Sequence, residues 1–154
     1  MRSIRPAHEL IPFSVEDLAR AIETGCPHVV FALLHGSARE GIVGPRSDVD
    51  IAVFTDGDAV YQVLMDVTDA ARAVVGIDEI DVGILNHAEP VYRFEALKGR
   101  LLFTRDRDRY ETFFSLTCRE YEEALIHYER QWRYRLGARG PGTAHDHEDP
   151  GGGT

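Results

Sequence analysis

The amino-acid sequence predicts an α+β fold with an α/β-like element order: a small mixed sheet, helices packed on one face of it, and a long C-terminal helix. Short apolar runs that are typical of strands alternate along the chain with segments of helical spacing. Glycine and proline separate many of these segments. A length of 154 residues is enough for one domain with a substantial buried core.

Each predicted element has local signals of its own. Ser14 is placed to cap the first helix, and Gly76 closes the second. The third helix starts near Pro90 and ends at Gly99. The predicted strands are residues 28 to 34, 48 to 54, 79 to 85 and 100 to 104, and the predicted helices are residues 14 to 24, 58 to 75, 88 to 98 and about 106 to 135.

The C-terminal end of the sequence differs from the rest in composition. Residues 137 to 154 consist of Gly, Pro and charged residues with almost nothing apolar. We therefore expect a disordered tail after a domain that spans residues 1 to 136. The N-terminal residues lack the apolar core of a secretory signal, and no run approaches the roughly 20 apolar residues that a membrane span needs. We expect no membrane association.

The charge and the cysteine content exclude some classes of function. The formal net charge is −9 at pH 7, whereas nucleic-acid binding depends on dense Lys and Arg. We therefore expect no direct nucleic-acid partner. Cys26 and Cys118 are far apart and form no metal-ligand pattern, which is typical of reduced, mostly buried thiols in a cytoplasmic protein.

Two carboxylates interrupt the second predicted strand. Because side chains alternate between the faces of a strand, Asp48, Asp50 and Ala52 share one face, and the apolar residues between them share the other. Two buried unpaired carboxylates would be very costly, so the acidic face is expected to be open to solvent or to a ligand. A satisfied acid pair on an edge strand is the simpler alternative, but it explains one Asp more easily than two like charges on one face.

The third predicted strand supplies a candidate third carboxylate. If the two strands are neighbours, Asp81 lies on the same open face as the first two acids. Asp78 falls with the apolar set, and Glu79 has the right parity but stands at the start of the strand. Ala52 and Gly83, the small residues that follow the acids, are expected to leave room for a ligand. Three converging carboxylates are suited to one or two hard divalent cations.

A Gly-Ser turn precedes the acids. Gly36 lets the backbone approach a ligand closely, and its N–H and that of Ser37 can point at an anion. Arg39 and Arg46 flank the loop and could contact phosphates. Groups that bind phosphate beside acids that bind metal are what phosphoryl or nucleotidyl transfer requires.

The spacing of these residues resembles the signature of a known family. Gly36 and Ser37, then ten residues, then Asp48-Val49-Asp50, resemble the DNA polymerase β-type nucleotidyltransferase superfamily. The stretch "HGSAREGIVGPRSDVDIAVF" looks most like its minimal nucleotidyltransferases, and Asp81 fits their third acid. The resemblance covers about residues 14 to 110, and it implies the nucleotidyltransferase fold.

The resemblance also implies an enzyme that acts as an antitoxin. Many minimal nucleotidyltransferases are paired with a HEPN-domain toxin, usually a ribonuclease. The resemblance implies Mg²⁺-dependent transfer of AMP from ATP to a tyrosine of that toxin, with release of pyrophosphate. Gly36 and Ser37 would hold the triphosphate, while Asp48 and Asp50 would ligate Mg²⁺. Asp81 would ligate metal and help to deprotonate the incoming hydroxyl.

The turn departs from the family's usual Gly-Ser-x-Ala-Arg-Gly pattern. Here Arg39 stands one residue early, and Glu40 occupies the place of the arginine. A carboxylate near the triphosphate would repel it unless Glu40 points away.

Two other functions remain open from the sequence. The first is a nucleotidyltransferase for a small molecule such as an aminoglycoside; those enzymes usually carry a further helical domain, although a dimer could build the pocket. The second is an antitoxin that acts by contact, without catalysis. Template-directed polymerisation is disfavoured because the chain is acidic and small.

The last predicted helix combines a core stripe with an aromatic-rich end. Apolar and aromatic residues between 110 and 121 recur at spacings of mostly three and four, which is typical of a stripe that packs on the sheet. Beyond that stripe, aromatic residues exceed what a small core can hold, and exposed aromatics with Arg are typical interface anchors. We predict that this end contacts a partner chain through Tyr128, Trp132, Arg133 and Tyr134.

Overall fold

The structure, a computed structural model, describes residues 9 to 139. Its helices are α1 (Val15–Gly25), α2 (Val60–Val75), α3 (Pro90–Leu97) and α4 (Arg107–Arg139). Its strands are β1 (Ile11–Pro12), β2 (Val29–His35), β3 (Ile42–Val43), β4 (Val49–Thr55), β5 (Ile80–Ile84) and β6 (Arg100–Thr104). The predicted α+β class and the long C-terminal helix are confirmed, and each predicted element is present at nearly its predicted bounds.

The last helix extends beyond its predicted end. α4 continues through Arg139 and so includes the first residues of the segment predicted to be a disordered tail. The remainder of that segment lies outside the described residues, as do residues 1 to 8. Within the described range, no helix is both long enough and apolar enough to cross a bilayer.

The central sheet has the strand order β5-β4-β2-β6. β4 and β5 are parallel, whereas β2 is antiparallel to both β4 and β6. A separate ribbon pairs β1 with β3. The ribbon was not predicted, because a strand of two residues shows no periodicity. β3 lies in the segment between the Gly-Ser turn and β4, which was expected to be a loop.

Different helices cover the two faces of the sheet. α1 and α2 pack on the face formed by Val49, Ile51 and Val53 of β4, which are fully buried. α3 and α4 contribute Leu97 and Phe113 to a second cluster on the opposite face. The predicted helical layer on one face is therefore present and consists of α1 and α2. The opposite face is covered by α3 together with the long helix α4.

Local contacts determine where α1 begins and where α3 ends. Ser14 Oγ accepts a hydrogen bond from the Asp17 backbone N–H at 3.1 Å and so caps α1 as predicted. After α3, a Cβ added at Gly99 would collide with the Leu34 carbonyl oxygen and with His35. Glycine at this position therefore allows the end of α3 to lie against the end of β2.

Candidate active site

Three strands bring polar side chains to one end of the sheet. β2 and β4 pair His35 with Asp50, and β4 and β5 pair Asp50 with Asp81. Residues that are directly paired on neighbouring strands point to the same face, so His35, Asp50 and Asp81 form a polar row across the sheet. Asp48 comes immediately before β4. The two acid-bearing strands are therefore neighbours, which is the condition under which Asp81 was expected on the face of Asp50.

The Gly-Ser turn, Gly36–Ala38, lies directly against the polar row. It forms a single 3-10 turn at the end of β2. Gly36 has a φ of 76°, and a Cβ added there would collide with Asp50 Oδ2. Both the left-handed backbone and the close contact therefore require glycine. Ser37 is exposed beside it, so the turn and the acids belong to one site.

The charged groups of the polar row perturb one another. Burial is the main cause that raises the pKa of Asp50; Asp81 and Asp48 raise it further, while His35 lowers it. Burial lowers the pKa of His35 despite the opposing effect of the carboxylates around it. Like charges held together with a perturbed pKa are typical of a functional site, because the repulsion contributes nothing to folding.

The donor chemistry suits a hard divalent cation. Asp48 and Asp50 are half-buried and Asp81 is exposed, so the carboxylate oxygens that Mg²⁺ prefers are accessible. Within residues 9 to 139, no three or more His, Cys, Asp or Glu side chains are grouped closely enough to hold a metal ion. Carboxylates repel one another, which opposes their closer approach. Metal ligation by these acids stays a prediction.

A cavity of about 460 Å³, here the turn cavity, opens beside the Gly-Ser turn. Besides the turn itself, the residues that line it are His35, Arg39, Glu40, Glu95, Lys98 and Gly99. Arg39 is thus close to the turn, as a phosphate-binding residue must be. Arg46 is exposed and does not line the cavity, so the structure does not bring it to the same place.

Glu40 lies at the rim of the turn cavity. Its side chain is 79% exposed, and its Oε1 lies 3.9 Å from Arg39 Nε. A carboxylate this exposed is well screened by solvent. Glu40 therefore borders the cavity as a largely solvated carboxylate, whose repulsion of a triphosphate is weakened by solvent.

Tyr92 occupies the space that the sequence assigned to a ligand. A Cβ added at Gly83 would collide with the Tyr92 hydroxyl, and Ala52 is fully buried in the cluster that Tyr92 joins. The prediction that Ala52 and Gly83 leave room for a ligand is therefore wrong, because they leave room for α3. Burial and then Asp81 and Asp50 raise the pKa of Tyr92, and its hydroxyl lies 3.5 Å from His35 Nε2.

No sequence pattern predicted the part of the site that α3 contributes. Tyr92, Glu95 and Lys98 reach the polar row or the turn cavity from this helix. Their own spacing carries no chemical motif. Gly99 is the one signal that could have found them, because a glycine after a short helix permits close approach to another strand.

The two halves of α4 differ as predicted. Phe113 and Thr117 are buried, and Tyr121 stacks on Phe94 of α3 with ring centroids 3.9 Å apart. Further along, Trp132 is 49% exposed and Tyr134 is 79% exposed. An apolar and aromatic surface is therefore available in the second half of the helix.

The chain matches a known enzyme family over a segment that contains the turn and all three acids. The family model described as polymerase beta, nucleotidyltransferase, matches residues 16 to 108. The chain belongs to this family. The family assignment agrees with the resemblance in the Gly-Ser and Asp-x-Asp motifs. No curated protein matches the sequence.

Solved structures share the fold. A chain from a mutant MntA–HpeT toxin–antitoxin crystal structure is 17% identical with a TM-score of 0.64, and the match covers 80% of this chain and 98% of that one. A chain from a toxin–antitoxin structure with AMP-PNP is 17% identical with a TM-score of 0.62, at 80% and 98% coverage. A chain from the complex of the tri-AMPylated Shewanella oneidensis HEPN toxin with MNT antitoxin is 15% identical with a TM-score of 0.58, at 79% and 95% coverage. At these identities the likeness concerns the fold.

Proposed function

We propose that this nucleotidyltransferase is a cytoplasmic antitoxin that transfers AMP from ATP to a tyrosine hydroxyl of a cognate HEPN ribonuclease toxin and so neutralises it. The observation that carries the proposal is the contact of Gly36 with Asp50, with Asp81 in register beside it. The contact supports the proposal because the Gly-Ser turn, to which we assign the phosphates, lies against carboxylates at one open end of the sheet. Structures of similar fold support the choice of acceptor, because one of them contains an AMPylated HEPN toxin.

The residues of the chain divide the reaction between them. The N–H groups of Gly36 and Ser37 bind triphosphate oxygens, and Arg39 adds positive charge nearby. Asp81, which is exposed on the edge strand β5, accepts the proton of the incoming tyrosine hydroxyl. The hydroxyl oxygen bonds to the α-phosphorus, the bond from that phosphorus to the oxygen bridging the β-phosphate breaks, and pyrophosphate leaves.

Asp48, Asp50 and Asp81 would hold Mg²⁺. When bound, the cation would supply positive charge that neutralises the phosphates. The fit rests on the donor set, which offers carboxylate oxygens at the open end of the sheet and a half-buried Asp50 whose repulsion by its neighbours a cation would relieve. The similar fold seen in a structure with AMP-PNP supports ATP as the donor nucleotide.

The second half of α4 is the surface that we assign to the toxin. Leu125, Tyr128 and Trp132 are each about half exposed or more, and large aromatic side chains are typical anchors of protein interfaces. Deleting residues 126 to 154 is expected to abolish complex formation while AMP-PNP binding survives. Retention of the complex by the truncated chain would overturn this assignment.

The direct test uses the product of the adjacent reading frame as the partner. The two proteins are purified together, ATP and Mg²⁺ are added, and the intact mass of the partner is recorded. We expect the partner to gain one or more AMP units. Transfer of AMP to a small molecule without the partner would instead support the aminoglycoside-type activity.

Neutralisation by contact alone is the second candidate, and the exposed end of α4 favours it. The two candidates differ in their dependence on the acids. If a variant with Asp48→Asn and Asp50→Asn neutralises the toxin fully, and the wild type adds no mass to its partner, the contact mechanism is correct and the transfer proposal is not.

A further inference from the structure

The turn cavity has a second polar wall, to which the reaction above assigns no role. Gly36 and Ser37 line the cavity from the end of β2, and Glu95 and Lys98 line it from the end of α3. Gly99 makes this arrangement possible, since any larger residue would collide with the end of β2. The fold therefore places an ammonium group at the cavity that the Gly-Ser turn opens into.

The position of the ammonium group is supported by two elements. Lys98 Nζ lies 3.1 Å from Glu95 Oε2 and 5.6 Å from the centroid of the Phe94 ring. Phe94 in turn stacks on Tyr121 of α4, so the long helix supports this wall from behind. Ion pairs between half-exposed side chains are weak, and the Lys98 and Glu95 side chains are 53% and 51% exposed. Lys98 can therefore exchange its carboxylate partner for a stronger anion.

We propose that Lys98 binds the outer phosphates of the nucleotide and that Glu95 is the carboxylate these phosphates displace. The inference rests on the proposed function for the direction in which the nucleotide lies. If the α-phosphate lies at the acidic end of β4, where Asp50 contacts Gly36, the β- and γ-phosphates extend past the Gly-Ser turn into the turn cavity. A phosphate with two negative charges competes well with a single carboxylate for an ammonium group.

The charges of the cavity explain why such a residue is needed. Glu40 and Glu95 border the same space as Arg39 and Lys98, so the four charged side chains cancel formally. A triphosphate therefore meets no net attraction until one carboxylate is released from its partner. Lys98 Nζ is 3.1 Å from Glu95 Oε2, whereas Arg39 Nε is 3.9 Å from Glu40 Oε1. Since Lys98 has the closer carboxylate partner, we expect phosphate binding to change the ion pair of Lys98 more than that of Arg39.

Lys98 is the only lysine in the sequence, which permits a direct chemical test. An acyl-phosphate derivative of ATP carries its acyl group on the γ-phosphate. An amine beside that phosphate attacks the acyl carbon, the acyl–oxygen bond breaks, ATP leaves and an amide forms. We expect peptide mapping of the full chain to find the amide on Lys98, and excess ATP to suppress it. Labelling of the N-terminal amine alone would overturn the proposal.

Binding measurements test the same residue with opposite expected signs. Lys98→Ala should weaken ATP binding about tenfold and AMP binding much less, because only ATP carries the outer phosphates. Lys98→Arg should stay within about threefold of the wild type, since it keeps the charge. Glu95→Gln should tighten ATP binding about threefold, because it removes a competing carboxylate.

Matched controls come from a similar pair outside the cavity. Arg107 and Glu111 form an exposed ion pair at 3.3 Å on α4, and neither lines the turn cavity. Arg107→Ala and Glu111→Gln should leave ATP binding unchanged. Equal effects from the two pairs would show only a general charge effect and would overturn the proposal.

Inorganic tripolyphosphate separates this inference from the proposed function. Tripolyphosphate that binds the wild type and loses affinity with Lys98→Ala supports the phosphate site, whether or not AMP transfer occurs. If the wild type binds ATP and transfers AMP but Lys98→Ala changes neither ligand's affinity, the phosphate site is wrong and the proposed function stands. If the wild type binds neither ligand, both are wrong.

Discussion

The two faces of β4 differ in almost every physical respect. On one face, Val49, Ile51 and Val53 are fully buried against α1 and α2, and the exclusion of water from them stabilises the fold. On the other face, Asp50 stands half-buried in the polar row, where burial and neighbouring carboxylates raise its pKa. The apolar face lowers the free energy of the folded state, whereas Asp50 raises it. Further along the second face, Ala52 is buried in the other cluster.

Residues that stabilise the fold and a residue assigned to the reaction are therefore direct neighbours along β4. Because side chains alternate along a strand, substitutions at neighbouring positions change opposite faces. Changes on the apolar face should therefore affect folding without affecting transfer by folded molecules. Changes to the acids Asp48 and Asp50 should do the reverse.

The acidic face gives the largest expected effect. With Asp48→Asn and Asp50→Asn, AMP transfer should fall about a thousandfold or more, because the variant loses carboxylates assigned to the metal and the phosphates. The melting temperature should stay the same or rise, since neutral side chains remove repulsion in the polar row. Rates of pyrophosphate release and thermal unfolding measure the two quantities. A variant that unfolds at a clearly lower temperature would show that the acids serve the fold.

The apolar face should respond through stability. Ile51→Ala should lower the free energy of unfolding by about 2–5 kcal/mol, because it leaves a cavity under α1 and α2. Ile51→Val is the matched control, with an expected loss of about 0.5–1.5 kcal/mol. Urea unfolding followed by circular dichroism gives both values. Transfer per folded molecule should be preserved in each, and a specific loss of transfer with Ile51→Val would break the separation between the faces.

The Gly-Ser turn allows a sharper comparison between two glycines. Gly36 and Gly57 both have a φ of 76°, but only at Gly36 would a Cβ collide with Asp50. Alanine at either position should cost about 1 kcal/mol of stability from the backbone alone. Gly36→Ala should also reduce transfer about a hundredfold by displacing Asp50, whereas Gly57→Ala should not. Equal transfer rates in the two variants would contradict the contact that defines the site.

The smallest expected effect is the pH dependence of stability that Cys26 causes, in the cluster that covers the apolar face of β4. Cys26 is a free, buried thiol in the core cluster with α1. Burial raises its pKa from 9.0 to about 11; Asp66 adds to this shift and Arg105 opposes it. Its neutral form is favoured in the folded state, so its contribution is complete below about pH 9 and is lost as the pH rises towards 11. Between those values the wild type should lose about 2 kcal/mol more stability than Cys26→Ala. Parallel pH profiles of the two proteins would show that Cys26 is not shielded from solvent.

The sequence could predict what depends on strand parity and on short motifs. Asp50 and Asp81 are in register because both acids occupy the same parity in neighbouring parallel strands. Gly36 was recognisable from its distance to the acids. The buried and the exposed parts of α4 followed from the number of aromatic residues that a small core can hold.

The remaining features depend on contacts between distant parts of the chain. Tyr92 fills the space above Gly83, and Lys98 reaches the turn cavity, because α3 turns back over the sheet. No local pattern fixes that path. Arg46 shows the opposite case, since it is near the turn in sequence but does not line the cavity. Proximity along the chain was a poor guide wherever a loop or a short helix decides the direction of a side chain.

We propose above that the acidic end of β4 directs transfer of AMP from the α-phosphorus of ATP to the partner protein. The most direct test supplies the complex and Mg²⁺ with ATP labelled at either the α- or the γ-phosphorus and measures label bound to the partner. We predict label from the α-phosphorus, none from the γ-phosphorus, and none from either with Asp48→Asn and Asp50→Asn. Label from the γ-phosphorus, or equal labelling by the acid variant, would contradict the account.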